Sequence, residues 1–149
     1  MSAFYSEIFQ QPQALREQAQ FYAQSQILEG ADTIVSLWLD VVGSAEHLLF
    51  VGHGPHAITA HQAAQSVTEW AKIPVQSYSI GSYRHGRIES AGPNLGVVIF
   101  AGLGAARASA WALAEELSEY GAKVLLVENG QTRGVGEAAK TSQITDEFL

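Results

Sequence analysis

Hydrophobic positions along the chain change their rhythm near Gly43. Before it, regular helical spacing is confined to the stretch after Gly30. Ser2–Gln26 is polar and glutamine-rich, with Phe4, Ile8, Leu15 and Tyr22 irregularly placed. Pro12 suits a first helical position, where a missing N–H is no loss, so Ala14–Gln26 reads as a helix ended by Gly30. Ala31–Val42 reads as a second helix, with Ile34, Leu37, Trp38 and Val41 on one face, and Gly43 stops it.

After Gly43, short apolar runs alternate with helical segments. His47–Val51 reads as a strand and His56–Lys72 as a helix. The small residues Ala60, Ala63, Ala64, Val67 and Ala71 give that helix a face able to lie close on a sheet. Pro74 ends it, and Val75–Ile80 alternates as a strand. Gly96–Ala101 is continuously apolar, as a central strand covered on both sides must be. Ala105–Tyr120 is an alanine-rich helix stopped by Gly121, Lys123–Val127 another buried strand, and Glu128-Asn129-Gly130 a turn. Ser142–Thr145 reads as a short last strand. This alternation predicts an α/β fold: a three-layer, doubly wound, five-stranded parallel sheet preceded by N-terminal helices. The organisation expected is a leader and helix over 1–30, then a single domain over 31–149.

Composition narrows the setting. Of the 149 residues, 47% are apolar and only 15% charged, against roughly 25% charged in ordinary domains. A compact domain with so few charges is expected to hide surface in a homodimer or larger homo-oligomer. The formal charge of −7 argues against nucleic acid or an anionic membrane surface as partner. No apolar run approaches the roughly 18 residues of a membrane span, and the start MSAFYSEIFQQ carries no basic segment. Cysteine is absent, so there is neither a disulfide frame nor a thiolate metal site. These features read as a cytoplasmic protein.

Three places carry candidate chemistry. Gly52-His53-Gly54 follows a strand and opens a helix, whose N–H groups and dipole attract anions. The glycines either make the turn alone or also face a ligand. A dinucleotide fingerprint is excluded, because Ala57 stands where its third glycine belongs and the next strand offers Ser77 and Ser79 instead of a ribose-binding acid. Ser79–Glu89 reads as a polar loop in which Arg84, His85 and Arg87 are gathered, a set suited to an anionic ligand. Glu69 lies in the alanine-rich helix, where an acid is either solvent-facing or functional. His53, His56, His61 and His85 make no metal set: His56 and His61 do not share a helical face, no HExxH occurs and no carboxylate completes them. Neither metal nor cofactor is expected.

At these same residues the chain resembles the SIS (sugar isomerase) domain family of phosphosugar-binding proteins. The likeness is nearest to the second of the tandem SIS halves in the glucosamine-6-phosphate synthase isomerase domain. Glu7–Leu15 resembles the leader EIxxQPxAL, VGHGPHAITAHQAA the segment VGRGxxxxxAxEGA, SYRHGRIES the segment ExxHGPxE, and ITDEFL the strand leading into the last helix. The resemblance implies a flavodoxin-like fold and a phosphorylated sugar or aminosugar as ligand. It places Glu69 as the carboxylate that moves a proton between C1 and C2, and His85 as the group of ring opening, often supplied across a subunit boundary. Gly52, His53, Gly54 and Pro55 would lie along the sugar, with Arg84 and Arg87 as further substrate-binding groups. Three positions depart from the pattern. Ser66 replaces a lysine, Arg87 replaces the proline of HGP, and Ala101-Gly102-Leu103-Gly104-Ala105 replaces a hydroxyl-rich SxSGxT phosphate loop. The chain is therefore expected to be half of an active unit. It is expected to act either as an aldose–ketose isomerase or deaminase working as an oligomer, or as a non-catalytic carbohydrate-derivative-binding module.

Overall fold

The computed structural model describes residues 31–102, 104–128 and 131–136. The expected helix at Ala14–Gln26, the Asn129-Gly130 turn and the strand at Ser142–Thr145 lie outside them. Contacts divide the chain into two compact units, Met1–Val35 and Ser36–Leu149. The sheet, and every described helix apart from the first turn of α1, belong to the second.

The elements run α1 (Ala31–Val42), β1 (His47–Gly52), α2 (Pro55–Ala71), β2 (Gln76–Ser79), α3 (Ile80–Arg84), a 3₁₀ turn (Arg87–Ser90), β3 (Leu95–Phe100), α4 (Ala105–Glu119), β4 (Lys123–Glu128) and β5 (Gln131–Val135). The strands lie in the order β2-β1-β3-β4-β5. The first four are parallel and β5 is antiparallel to β4. The fifth described strand is therefore neither parallel nor the expected one. Chain geometry requires this: only two residues separate β4 from β5, whereas a parallel return needs a crossover of a dozen or more.

Strand alternation sorts the core into two layers. Leu49, Val51, Val97, Ile99, Val124 and Leu126 point to the face covered by α3 and α4, where Tyr83, Leu113 and Leu117 are wholly or almost wholly buried. Phe50, Val98 and Leu125 point the other way, against Leu37, Val41 and Val42 of α1 and Ala60 and Ala64 of α2. The small residues at 60 and 64 let α2 lie close on Phe50, as its alanine face predicts. The polar stretch after β2 differs from its reading as a loop. Ser79 Oγ accepts the Ser82 N–H at 3.1 Å and caps α3. Ile80 and Tyr83 then bury themselves on the sheet. Two buried residues three apart suffice to hold one turn of helix, too short to leave a periodic signal in a polar segment.

Candidate functional site

Order β2-β1-β3-β4 means that the chain winds outward in both directions from the β1–β3 pair. The carboxyl ends of these two strands bound the crevice where open α/β sheets take ligands. On the β1 side, the His56 N–H bonds to the His53 carbonyl at 3.1 Å, closing a tight turn with Gly54 at φ 55°, ψ −124°. A residue with these angles in the second position of a type II′ turn is nearly always glycine. Gly52 meets a different constraint. A Cβ there would lie 2.1 Å from the His56 carbonyl oxygen, so the strand end can pass under α2 only without a side chain.

The turn alters the reading of this loop as an anion grip. Pro55 has no N–H, and those of His56 and Ala57 are already bonded to the carbonyls of His53 and Gly54. The better anion end is across the crevice. Helix α4 begins at Gly104 (φ 59°, ψ −130°) with no side-chain cap and no acid in its first turn. The imidazole of His56 lies against Gly102, where a Cβ would stand 3.1 Å from His56 Cδ2. On the other side, Arg107 in the first turn of α4 forms a forked ion pair with Glu128 at the end of β4. Glu128 is only 5% exposed, and Arg107 also lies over the Trp111 ring at 5.8 Å. The Arg107 hydrogen bond holds the Glu128 carboxyl below its ordinary value against the opposing effect of burial. The charge of Arg107, the nearby indole N–H of Trp111 and the charge of Arg133 act in the same lowering direction.

Glu69 stands elsewhere. Helix α2 runs away from the crevice, and Glu69 is 14 residues beyond Pro55, about 21 Å along the axis. It is exposed in a cleft of about 400 Å³ between α2 and the edge strand β2, with His61, Gln65 and Thr68 on the helix and Ser77 on the strand. His61 Nδ1 and Ser77 Oγ are 3.2 Å apart there, the tautomer deciding which donates. His85 closes the C-terminus of α3 on the opposite face of the sheet and is exposed. It lines neither this cleft nor the cavity described next.

The two arginines near His85 are engaged separately. Arg84 pairs with Glu116 of α4 at 2.7 Å. Arg87 places its guanidinium 4.7 Å from the centre of the Tyr78 ring. Arg87 also lines a cavity of about 700 Å³ under the amino-terminal ends of β1, β2 and β3, together with Tyr78, Tyr83 and Leu95. The Tyr83 hydroxyl is buried without a hydrogen-bond partner among the described residues. Burial first, and Tyr78 second, push its ionisation above the ordinary phenol range.

Within one chain the candidate residues are thus dispersed. Gly52, His53, Gly54 and Pro55 stand at the crevice, Glu69 near the far end of α2, and Arg84, His85 and Arg87 beyond the sheet. His56, His61, Arg107 and Glu128 were absent from the expected set. Glu128 had a visible signal: an acid ending the buried run KVLLV is a strand residue as readily as a turn residue. His61, Gln65 and Glu69 also repeat every fourth position, a stripe legible on the sequence. Among the described residues, no group of three or more His, Asp or Glu is placed to hold a metal ion, and no helix is long and apolar enough to cross a membrane.

Solved structures with the same fold include the C-terminal domain of glucosamine-fructose-6-phosphate aminotransferase from Francisella tularensis. It matches at 22% identity with a TM-score of 0.58, over 67% of this chain and 28% of that one. Glucosamine-6-phosphate deaminase from Thermotoga maritima matches at 19% identity with a TM-score of 0.55, over 79% of this chain and 39% of that one. The chain thus spans well under half the length of either. No curated protein matches the sequence significantly. The family model of the SIS domain matches residues 43–145, from the end of α1 through every described strand. The chain belongs to the SIS domain family.

Proposed function

We propose that this protein binds a phosphorylated sugar or aminosugar at the crevice between β1 and β3, as a self-associating cytoplasmic SIS domain protein. The observation that carries the reading is the N-terminus of α4, with no side-chain cap among the described residues and flanked by His56 and by Arg107 on its Glu128 anchor. A helix N-terminus favours a phosphate, and a guanidinium held by a buried carboxylate is oriented to meet one. Arg107 takes the part that hydroxyls play in the SxSGxT loop of the family. The sugar then extends along the Gly52–Pro55 turn, where a Cβ on Gly54 would meet no atom within 4 Å.

Isomerase chemistry is the finer part of the proposal, and it needs two copies. Glu69 lies about 21 Å of helix from its own crevice, too far to serve a sugar bound there. A second copy supplies it. For fructose-6-phosphate, His85 delivers a proton to the ring oxygen as the anomeric hydroxyl gives one up, and the ring opens. The Glu69 carboxylate takes a proton from C1 and returns it at C2 through a cis-enediol, while a proton passes from O1 to O2. The low content of charged residues, 15%, supports the association that this arrangement requires. The second reading is a non-catalytic binding module, favoured by Ser66 and by the separation of Glu69 from His85 across the sheet.

Isomerisation of fructose-6-phosphate by mixed variants tests both. Glu69→Gln and His85→Ala are each expected to be inactive alone. Mixed, they should recover about a quarter of wild-type activity if symmetric dimers reassort and each site takes Glu69 from one copy and His85 from the other. If wild type is as inactive as Glu69→Gln while the sugar phosphate still raises the melting temperature, the enzyme reading fails and the binding reading stands. If no sugar phosphate shifts the melting temperature, both fail. An active monomer in sedimentation overturns the shared site.

A further inference from the structure

The 700 Å³ cavity lies at the edge of the sheet opposite the crevice and has no part in the proposed reaction. It exists because the crossover from β2 to β3 is short. Where α2 and α4 cover their strands with 17 and 15 residues, this crossover offers a five-residue helix and a 3₁₀ turn. The amino-terminal ends of β1 and β2 are left roofed only in part.

Its lining is mainly apolar, with Leu49, Val75 and Leu95 among the walls. Two polar groups stand out. Tyr83 is 0% exposed, yet its hydroxyl, a donor at neutral pH like any phenol, has no partner among the described residues. Native proteins rarely leave such a donor unmet. Arg87, stacked on Tyr78, has no carboxylate within ion-pair distance among the described residues. Among the described residues no Asp or Glu lines the cavity, although acids outnumber Lys and Arg by 15 to 8 in the sequence. A mainly apolar cavity in an acidic protein, with a guanidinium and a hydroxyl that are unpaired among the described residues and no acid among the described residues of its lining, has the complement of one ligand class. We propose that this cavity is a second binding site, for a small organic anion with a flat apolar body, whose head group takes Arg87 and, once the enclosed Tyr83 side chain turns to meet it, the Tyr83 hydroxyl, while its body packs on Leu49, Leu95 and the Tyr78 ring.

Binding of 2-naphthoate and of its neutral isostere 2-naphthamide, measured by calorimetry and saturation-transfer NMR on the full chain, tests the proposal. The carboxylate is expected to bind saturably and about tenfold or more tighter than the amide, since a charge-assisted hydrogen bond is what separates them. Arg87→Gln and Tyr83→Phe should each reduce naphthoate affinity about tenfold, a loss of this size being usual for a buried bond to a charged group. The melting-temperature shift with fructose-6-phosphate should be unchanged in Tyr83→Phe, which separates this site from the crevice. Equal affinity for acid and amide overturns the proposal, as does naphthoate binding indifferent to Arg87→Gln, or no saturable binding at millimolar concentration. Arg87 is exposed, so its variant keeps the test decisive even if Tyr83→Phe folds poorly.

Discussion

Gly52 is the position where a single methyl group should do most damage to the proposed site. In Gly52→Ala, the new Cβ would lie 2.1 Å from the His56 carbonyl oxygen, 2.3 Å from its carbon and 2.7 Å from the Ala57 nitrogen. All three are backbone atoms of the first turn of α2, so no rotamer change relieves the contact. The helix start must move by about 1 Å to restore ordinary van der Waals separation. Overpacking typically costs about 1–3 kcal/mol, and a clash with a backbone peptide that no rotamer relieves belongs at the upper end, about 3 kcal/mol. For a chain of this size that lowers the melting temperature by roughly 6–12 °C. The same displacement moves His56 off Gly102, so sugar-phosphate binding should weaken together with stability. Urea denaturation followed by circular dichroism, with calorimetry of fructose-6-phosphate on the folded fraction, measures both. A Gly52→Ala variant within about 0.5 kcal/mol of wild type, the ordinary range for an inert surface change, refutes the packing argument.

Other consequences are as direct. The carboxyl of Glu128 is lowered in the folded state, so its contribution is fully present above the unfolded carboxylate value of about 4.3 and is lost as pH falls through the folded value. Glu128→Gln should therefore flatten the fall of the urea midpoint on acidification below pH 5, and parallel profiles for the two proteins would contradict this. Leu113 is wholly buried between α4 and the sheet, and Leu113→Ala should destabilise by about 2–5 kcal/mol in the same denaturation assay. By contrast, Arg84 and Glu116 form a partly exposed pair, and a double-mutant cycle should return no more than about 1 kcal/mol of coupling.

The sequence by itself determined the elements that bury long regular patterns. VVIF inside β3 and VLLV inside β4, short, rich in valine and bounded by glycine, read as covered strands, and the alanines at 60 and 64 place α2 on the sheet. These patterns, with GHG and the residues around it, also carried the family. Short elements escaped, because a five-residue helix or a two-residue hairpin connection leaves too few positions for a period to be counted. The candidate site was legible as a set of residues and not as an arrangement. Glu69 and His85 are sixteen residues apart in sequence, yet the edge strand between their helices sends them to opposite faces of the sheet. Arg107 and Glu128, twenty-one residues apart, are brought into contact by one helix crossover. Periodicity records which side of its own element a residue takes. Which elements then face one another depends on how the sheet is wound, and that is decided only when the strands pair.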